Sequence, residues 1–135
     1  MTNGIIWQDI DGNDIQAHGG CIMEFDGTYY WYGENKGADN CPGTKRIDVI
    51  GISCYSSKDL VNWKYEGLVL ESDKENPESY IHTSKVMERP KVVYNKKNNN
   101  FVMWMHIDSA DYSFAAVGVA VSKTPTGKFE LLDVI

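Results

Sequence analysis

Six side chains in the sequence have the types that acid–base chemistry requires, and several of them lie at the ends of short apolar segments. They are His18, Glu34, Glu88, Asp108, Asp111 and Tyr112. One carboxyl group can protonate a leaving oxygen while a second group activates water or attacks, and hydrolysis of a glycosidic bond uses such a pair. Because these residues are far apart in the sequence, the chemistry requires a fold in which distant strand ends meet.

The segments around these residues predict short β-strands. "HGGCIMEF" and "TYYWYGE" flank Asp26-Gly27 and predict a hairpin over residues 18–34. No segment has a sustained 3.6-residue apolar period, so we predict an all-β chain. Six further strands are predicted, at residues 47–57, 63–71, 88–95, 101–108, 115–123 and 128–135.

The two halves of the chain resemble each other, with a Gly-led apolar strand, a Ser-Lys pair, a turn and a strand that opens on an aromatic residue. Two consecutive four-stranded antiparallel units with aromatic motifs are typical of propeller blades. We expect blade one at about residues 15–70 and blade two at about residues 85–135, together a partial propeller over residues 1–135. In a propeller the innermost strands line the channel, so polar strand ends from different blades converge there.

Propellers close with about four to eight blades, and this chain supplies two. We therefore expect either that the chain is the N-terminal part of a longer enzyme or that it self-associates through open blade edges. The four Trp residues are expected to pack between blades, with at most one of them stacking on a sugar.

The composition argues against several kinds of partner. Thirteen basic against nineteen acidic residues give a net charge of −6, without the basic stripe that nucleic acid binding requires. No apolar run approaches the roughly 20 residues of a membrane span, and no signal peptide is evident. The chain as given is thus expected in the cytoplasm, although the compartment of a full-length protein, secreted or periplasmic, stays open.

No cofactor or metal site is predicted. The three cysteines, Cys21, Cys41 and Cys54, form no metal-binding or disulfide pattern and are expected to be free thiols. "DIDGND", residues 9–14, lacks the glycine and glutamate of a calcium loop, so Asx turns explain it better.

Four blocks of the sequence carry a family resemblance. "AHGGCIMEFDGTYYWYGENK", "GISCYSSKDLVNWKYEGLVL", "ERPKVVYNKKNNNFVMWMH" and "GVAVSKTPTGKFELL" resemble, in order, the first two blades of the glycoside hydrolase family 43 propeller. The nearest resemblance is to the exo-β-1,3-galactanase-like subgroup. It implies a five-bladed propeller of roughly 300 residues, of which this chain is about the first two blades.

The chain departs from the usual residues of that family at two places. The family places an Asp base on blade one, a pKa-tuning Asp on blade two and a Glu acid on blade three. Here "AHGG" stands where the base is expected, and Lys91 stands in place of the tuning Asp while Glu88 appears nearby. The galactanase-like subgroup shares both departures. Because the family's Glu acid lies on blade three and this chain covers about two blades, the general acid is expected outside this chain. The chain alone would then be inactive.

The resemblance implies that Glu34 binds hydroxyls of the terminal sugar, and Asn35 follows it at the same rim. A solvated carboxylate at a strand end is the alternative for Glu34. Tyr112 either reaches the substrate or packs at the blade edge. His18, beside Gly19-Gly20, either contacts the substrate or is structural, and its neighbouring glycines allow a close backbone approach.

Glu88 has two interpretations. It is either a channel carboxylate that binds the sugar or tunes the pKa of the distant acid, or a surface ion-pair partner of Arg89 or Lys91. Pro90 is expected to fix the entrance of that strand, which favours the channel position. His106 has the same two interpretations as His18, since it either contacts the substrate or is structural.

The leading hypothesis is the N-terminal part of a glycosidase that cleaves β-1,3-galactosyl or related plant polysaccharide side chains. A non-catalytic carbohydrate-binding or structural β-module is one alternative. An arabinofuranosidase or xylosidase of the same family is the other.

Overall fold

The computed structural model describes residues 3–43 and 46–135 and contains eight β-strands and no helix in those ranges. The strands form two four-stranded antiparallel sheets, ordered β1-β2-β3-β4 and β5-β6-β7-β8, which confirms the all-β prediction. They are β1 (His18–Phe25), β2 (Thr28–Glu34), β3 (Gly51–Ser57), β4 (Lys64–Glu71), β5 (Val86–Asn95), β6 (Asn100–Asp108), β7 (Ala116–Ser122) and β8 (Glu130–Val134). Within the described ranges, no helix is long and apolar enough to cross a membrane.

The Asp26-Gly27 hairpin forms as predicted. Asp26 and Gly27 both have positive φ angles, 51° and 69°, which is the backbone of the tight turn that matches the twist of paired strands. The third strand is shorter than predicted and begins at Gly51, because Ile47 makes only an isolated bridge to Asn40. The fifth strand begins two residues earlier than predicted, at Val86.

Alternation along β2 divides its aromatic side chains between the two faces of the first sheet. Tyr32 is fully buried in the core between the sheets, and its hydroxyl donates to the carbonyl oxygen of Pro125 at 2.8 Å. Trp31 lies on the opposite face, where its ring meets the edges of Trp7 and Trp63. The row of aromatics thus joins the loop between β7 and β8 to the first sheet through Tyr32, and the N-terminal segment to the first sheet through Trp31.

The first strands of the two sheets contact each other, and each contains a β-bulge at the contact. In β1, Gly19 and Gly20 lie between the pairs His18–Glu34 and Cys21–Tyr32, opposite the single residue Gly33. In β5, the bulge at 89–90 lies between the paired positions 88 and 91. A bulge bends a strand and redirects the side chain before it.

Pro90 therefore lies at a bulge inside β5, rather than at the strand entrance as predicted. A bulge leaves a position without a ladder hydrogen bond, so a residue that lacks an N–H is tolerated there. Arg89 just before it has a positive φ of 53°.

The ammonium of Lys91 joins the two bulges. Its Nζ lies 3.2 Å from the carbonyl oxygens of both Gly19 and Gly20, and within 3.5 Å of those of Arg89 and Pro90. An ammonium has three protons to donate, so the carbonyls of both inner strands share one cation. Lys91 thereby holds the two sheets together where their strand ends meet.

The close approach at Gly20 predicts a large effect of Gly20→Ala. A Cβ at this position would lie 1.8 Å from the carbonyl oxygen of Tyr32, so we expect the free energy of unfolding to fall by about 3 kcal/mol. Urea unfolding measures this change. Gly12→Ala is the control, because nothing lies within 4 Å of its Cβ and only its positive φ should cost about 1–2 kcal/mol. Equal losses in the two variants would contradict the steric argument.

Candidate functional site

A cavity opens at the rim where β1, β2 and β5 meet. Its volume is about 300 Å³, and its polar lining includes Glu34, Lys36, Lys85, Glu88 and Tyr112. A smaller hollow of about 250 Å³ shares three of these residues, Glu34, Glu88 and Tyr112. Two carboxylates and a phenol from three different elements therefore face one space, as a small polar ligand requires.

Glu34 is the most deeply buried charged group of the cavity, with 2% of the residue exposed. The ammonium of Lys36 contacts its Oε1 as an ion pair. No described residue donates a hydrogen bond to its Oε2, although that atom is buried. A buried carboxylate oxygen without a donor is costly, so this atom is suited to accept a hydrogen bond from a ligand hydroxyl.

Burial raises the pKa of Glu34, and the Lys36 ammonium offsets part of that rise. The nearby carboxylate of Glu88 raises it further, whereas His18 lowers it. The position of Glu34 at the end of β2 explains why it is buried. The pairing with β3 continues past Glu34, because the backbone N–H of Asn35 donates to the carbonyl oxygen of Gly51, the first residue of β3. The carboxylate at this strand end is therefore a buried group and is not the solvated carboxylate of the alternative interpretation.

Glu88 lies in β5 just before the bulge and has a polar side chain facing each of its two oxygens. The hydroxyl of Tyr112 donates to its Oε1 at 2.5 Å, and Nδ1 of His106 lies 3.5 Å from its Oε2. The hydrogen bond to Glu88 raises the pKa of Tyr112 to about 12. Among the described residues no ion pair joins Glu88 to Arg89 or Lys91, since Lys91 faces backbone carbonyls instead.

His106 connects Glu88 to a second carboxylate, Asp108. Its Nε2 lies 2.9 Å from Oδ2 of Asp108. An ionised carboxylate can only accept, so Nε2 carries a proton and donates it to Asp108. The imidazole is thus fixed between two acidic groups, with its other nitrogen directed at Glu88.

Asp108 organises the loop that carries Tyr112. Its Oδ1 accepts from the backbone N–H groups of Ser109, Phe114 and Ala115. Burial alone would raise the pKa of Asp108, but these N–H groups and His106 hold it at about 2. Asp108 is therefore a structural carboxylate, charged under all ordinary conditions, that shapes the cavity wall without lining it.

The remaining predicted residues occupy different places. His18 is exposed, faces Glu34 across the first ladder pair and lines the smaller hollow. Asn35 is buried and uses both ends of its amide, donating to Oγ of Ser53 and accepting from N of Gly37. It lines neither hollow, so its assignment to sugar binding stays a prediction. Asp111 is bonded to the hydroxyls of Ser109 and Ser113 within its own loop.

Two lysines of the cavity were missed by the sequence analysis. Lys36 lies two residues after Glu34, a spacing that returns a side chain to the same side of an extended chain and could have suggested the ion pair. Lys85 had no such signal, because it comes from the loop that connects the two sheets. In residues 3–43 and 46–135, no three His, Cys, Asp or Glu side chains are grouped as metal ligands.

Comparison with protein-family models and with curated proteins finds no match. Solved structures do match. A GH43 β-1,3-galactosidase determined with galactodeoxynojirimycin is 41% identical over 99% of this chain, with a TM-score of 0.87, and the match covers 38% of that chain.

Two exo-β-1,3-galactanases match over the whole chain. That of Phanerochaete chrysosporium, a variant determined with β-1,3-galactotriose, is 41% identical with a TM-score of 0.88. That of Clostridium thermocellum is 42% identical with a TM-score of 0.85. The chain spans 29% and 27% of the lengths of these two structures.

The burial of Glu34 predicts a specific dependence of stability on pH. Because burial raises the folded-state pKa of Glu34 above its unfolded value of about 4.3, this group contributes most stability below that value. The contribution is lost as the pH rises through the folded-state pKa. Glu34→Gln should therefore be more stable than the unsubstituted chain at pH 7, and the two should converge as the pH falls below about 4.

Urea unfolding at a series of pH values measures the difference between the two chains. Glu130→Gln, at an exposed position of β8, is the control that changes the charge without relieving burial. Parallel stability curves for Glu34→Gln and the unsubstituted chain would show that the burial of Glu34 imposes no cost.

Proposed function

The chain belongs to glycoside hydrolase family 43, and on that premise we propose that it forms the sugar-recognising blades of a catalytic propeller that cleaves β-1,3-linked galactan. The observation that carries this proposal is the cavity in which Glu34 and Glu88 meet with Tyr112. Residues 1–135 would be a partial catalytic domain, with blade one at about 15–70 and blade two at about 85–135.

Glu34 is proposed as the first ligand of the terminal galactose. Its Oε2 is buried without a donor, so a sugar hydroxyl would satisfy an atom that the protein leaves unsatisfied. The adjacent Lys36 ammonium offsets part of the rise that burial causes in the pKa of Glu34, and it can itself donate to a second hydroxyl. Two neighbouring hydroxyls on one sugar ring match a carboxylate beside an ammonium.

Glu88 is proposed as the carboxylate that binds the sugar or tunes the pKa of the distant acid. The hydrogen bond from Tyr112 to its Oε1 keeps the group pre-organised. In this proposal the general acid is a Glu on a later blade, outside the chain, and protonates the leaving oxygen. The residue that serves as base is not assigned, since "AHGG" and Lys91 stand where the family usually has its carboxylates.

A carbohydrate-binding module without catalysis is the second candidate function. The two carboxylates that the chain contributes are arranged to bind rather than to transfer protons, because Glu88 accepts a hydrogen bond from Tyr112 and Glu34 is paired with Lys36. Both candidates predict sugar binding by this chain. They differ only in whether further blades supply an acid.

Open sheet surfaces are proposed to make the isolated chain self-associate. The second sheet exposes Val93, Trp104 and Val117 on the face that points away from the first sheet. Further blades would cover this face in a closed propeller. Without them, apolar surface and the unpaired edge of β8 are available to another copy.

We expect the chain to bind galactose without hydrolysing β-1,3-galactobiose or an aryl galactoside. Glu34→Gln and Glu88→Gln should each weaken galactose binding by about tenfold, since a hydrogen bond to a charged group is worth roughly 1.5–3 kcal/mol. Chemical-shift titration of the ¹⁵N-labelled chain measures the affinity, with Glu130→Gln as the control.

Two results would contradict this proposal in different ways. Absence of any galactose-dependent shift at the cavity would remove the sugar-binding role. Hydrolysis by the purified chain that is lost in Glu88→Gln would show that the acid lies within these residues.

The exposed face of the second sheet predicts a concentration-dependent mass in light scattering. Trp104→Lys places a charge on that face, so it should shift the chain toward monomer because a buried unpaired charge is costly. Tyr65→Lys, on the outer face of the first sheet, tests whether the other face contributes. A monodisperse monomer at all concentrations would refute self-association.

A further inference from the structure

Two exposed aromatic rings stack on each other close to the cavity. The rings of Tyr80 and Phe114 have centroids 5.6 Å apart and planes inclined by only 22°. Tyr80 is 47% exposed and Phe114 is 49% exposed. Each ring thus buries part of its surface against the other, and about half of each residue stays exposed to solvent. We call this pair the aromatic platform.

The loops that carry the platform are also the loops that line the cavity. Tyr80 belongs to the segment between β4 and β5, whose last residue, Lys85, lines the cavity. Phe114 belongs to the loop between β6 and β7, which also supplies Ala110 and Tyr112 to the lining. The platform is therefore continuous with the cavity wall through both of its supporting loops.

Both loops are held in place by hydrogen bonds. The N–H of Phe114 donates to Oδ1 of Asp108 at 2.8 Å. On the other loop, Ser79 and His82 close successive turns around Tyr80, with their N–H groups bonded to the carbonyls of Asn76 and Ser79. The rings are consequently presented by a fixed backbone, which lowers the entropy that binding must overcome.

Lys85 links the platform to the cavity electrostatically. Its Nζ lies 5.9 Å from the centroid of the Tyr80 ring, and the same side chain lines the cavity. An ammonium beside a flat aromatic surface offers a donor to hydroxyls next to a surface for C–H groups. A pyranose ring presents this combination, with an apolar C–H face and hydroxyls at its edge.

We propose that the aromatic platform is a second sugar-binding subsite, which takes a further galactosyl residue of an oligosaccharide whose terminal residue occupies the cavity. This inference rests on the proposed function, because it requires a galactose in the cavity. The C–H face of the further residue packs on the platform, and Lys85 donates to one of its hydroxyls. The platform thereby makes binding depend on the length of the oligosaccharide.

The test compares galactose with β-1,3-galactobiose and β-1,3-galactotriose in chemical-shift titrations of the ¹⁵N-labelled chain. We expect the unsubstituted chain to bind one of the longer sugars more tightly than galactose, with shifts at residues 80 and 114 that galactose does not cause. Tyr80→Leu and Phe114→Leu should each weaken that tighter binding by about fivefold, the effect of losing part of an aromatic contact. Their affinity for galactose should be unchanged.

Two further variants control this result. Tyr80→Phe keeps the ring and should retain the affinity for the longer sugar, so it separates loss of the ring from loss of the fold. Tyr65→Leu removes an exposed aromatic side chain of β4 that does not line the cavity and should change nothing.

The outcomes separate this inference from the proposed function. If neither galactose nor the longer sugars bind, the proposed function fails and the subsite fails with it. If galactose binds but the longer sugars bind no more tightly, the subsite is wrong and the proposed function stands. Equal affinities of the Leu variants and the unsubstituted chain for the longer sugars would also overturn the subsite.

Discussion

The contact between two β-bulges, clamped by one lysine, determines the geometry of the whole rim. The bulge at Gly19-Gly20 and the bulge at residues 89–90 face each other, and Lys91 donates to backbone carbonyls of both. Each bulge follows directly after a residue of the site, His18 in one strand and Glu88 in the other. The Lys91 ammonium thus has a structural role, because it compensates carbonyls that a bulge leaves outside the ladder.

The site combines carboxylates whose environments differ. Asp108 accepts three backbone N–H bonds and one from His106, and its pKa is held at about 2. Glu34 is equally buried, but no described backbone N–H donates to it, so its pKa is raised despite Lys36. The first carboxylate stabilises a loop, whereas the burial of the second costs stability. This contrast of burial with and without donors is how a protein separates structural from ligand-binding carboxylates.

Much of the fold could be predicted from local patterns. The Asp26-Gly27 turn requires two positive φ angles that few other residue pairs adopt, and the alternation around it determined which side chains share a face. The bulge at Pro90 could not be placed, because Pro90 is compatible both with a strand entrance and with a bulge. The start of β3 was also misplaced, since "IDVI" has strand composition but only Ile47 finds a bridge partner.

The sequence by itself determined that the chain is all-β, that Glu34 ends an aromatic strand and that Glu88 lies two residues before a proline. Those features depend on neighbours within a few residues. Only the tertiary structure decided that Glu34 is buried beside Lys36, that Tyr112 reaches Glu88 across 24 residues and that Tyr80 stacks on Phe114. Burial and donor geometry depend on which strands and loops pack together, and that packing depends on contacts between residues that are distant in the chain.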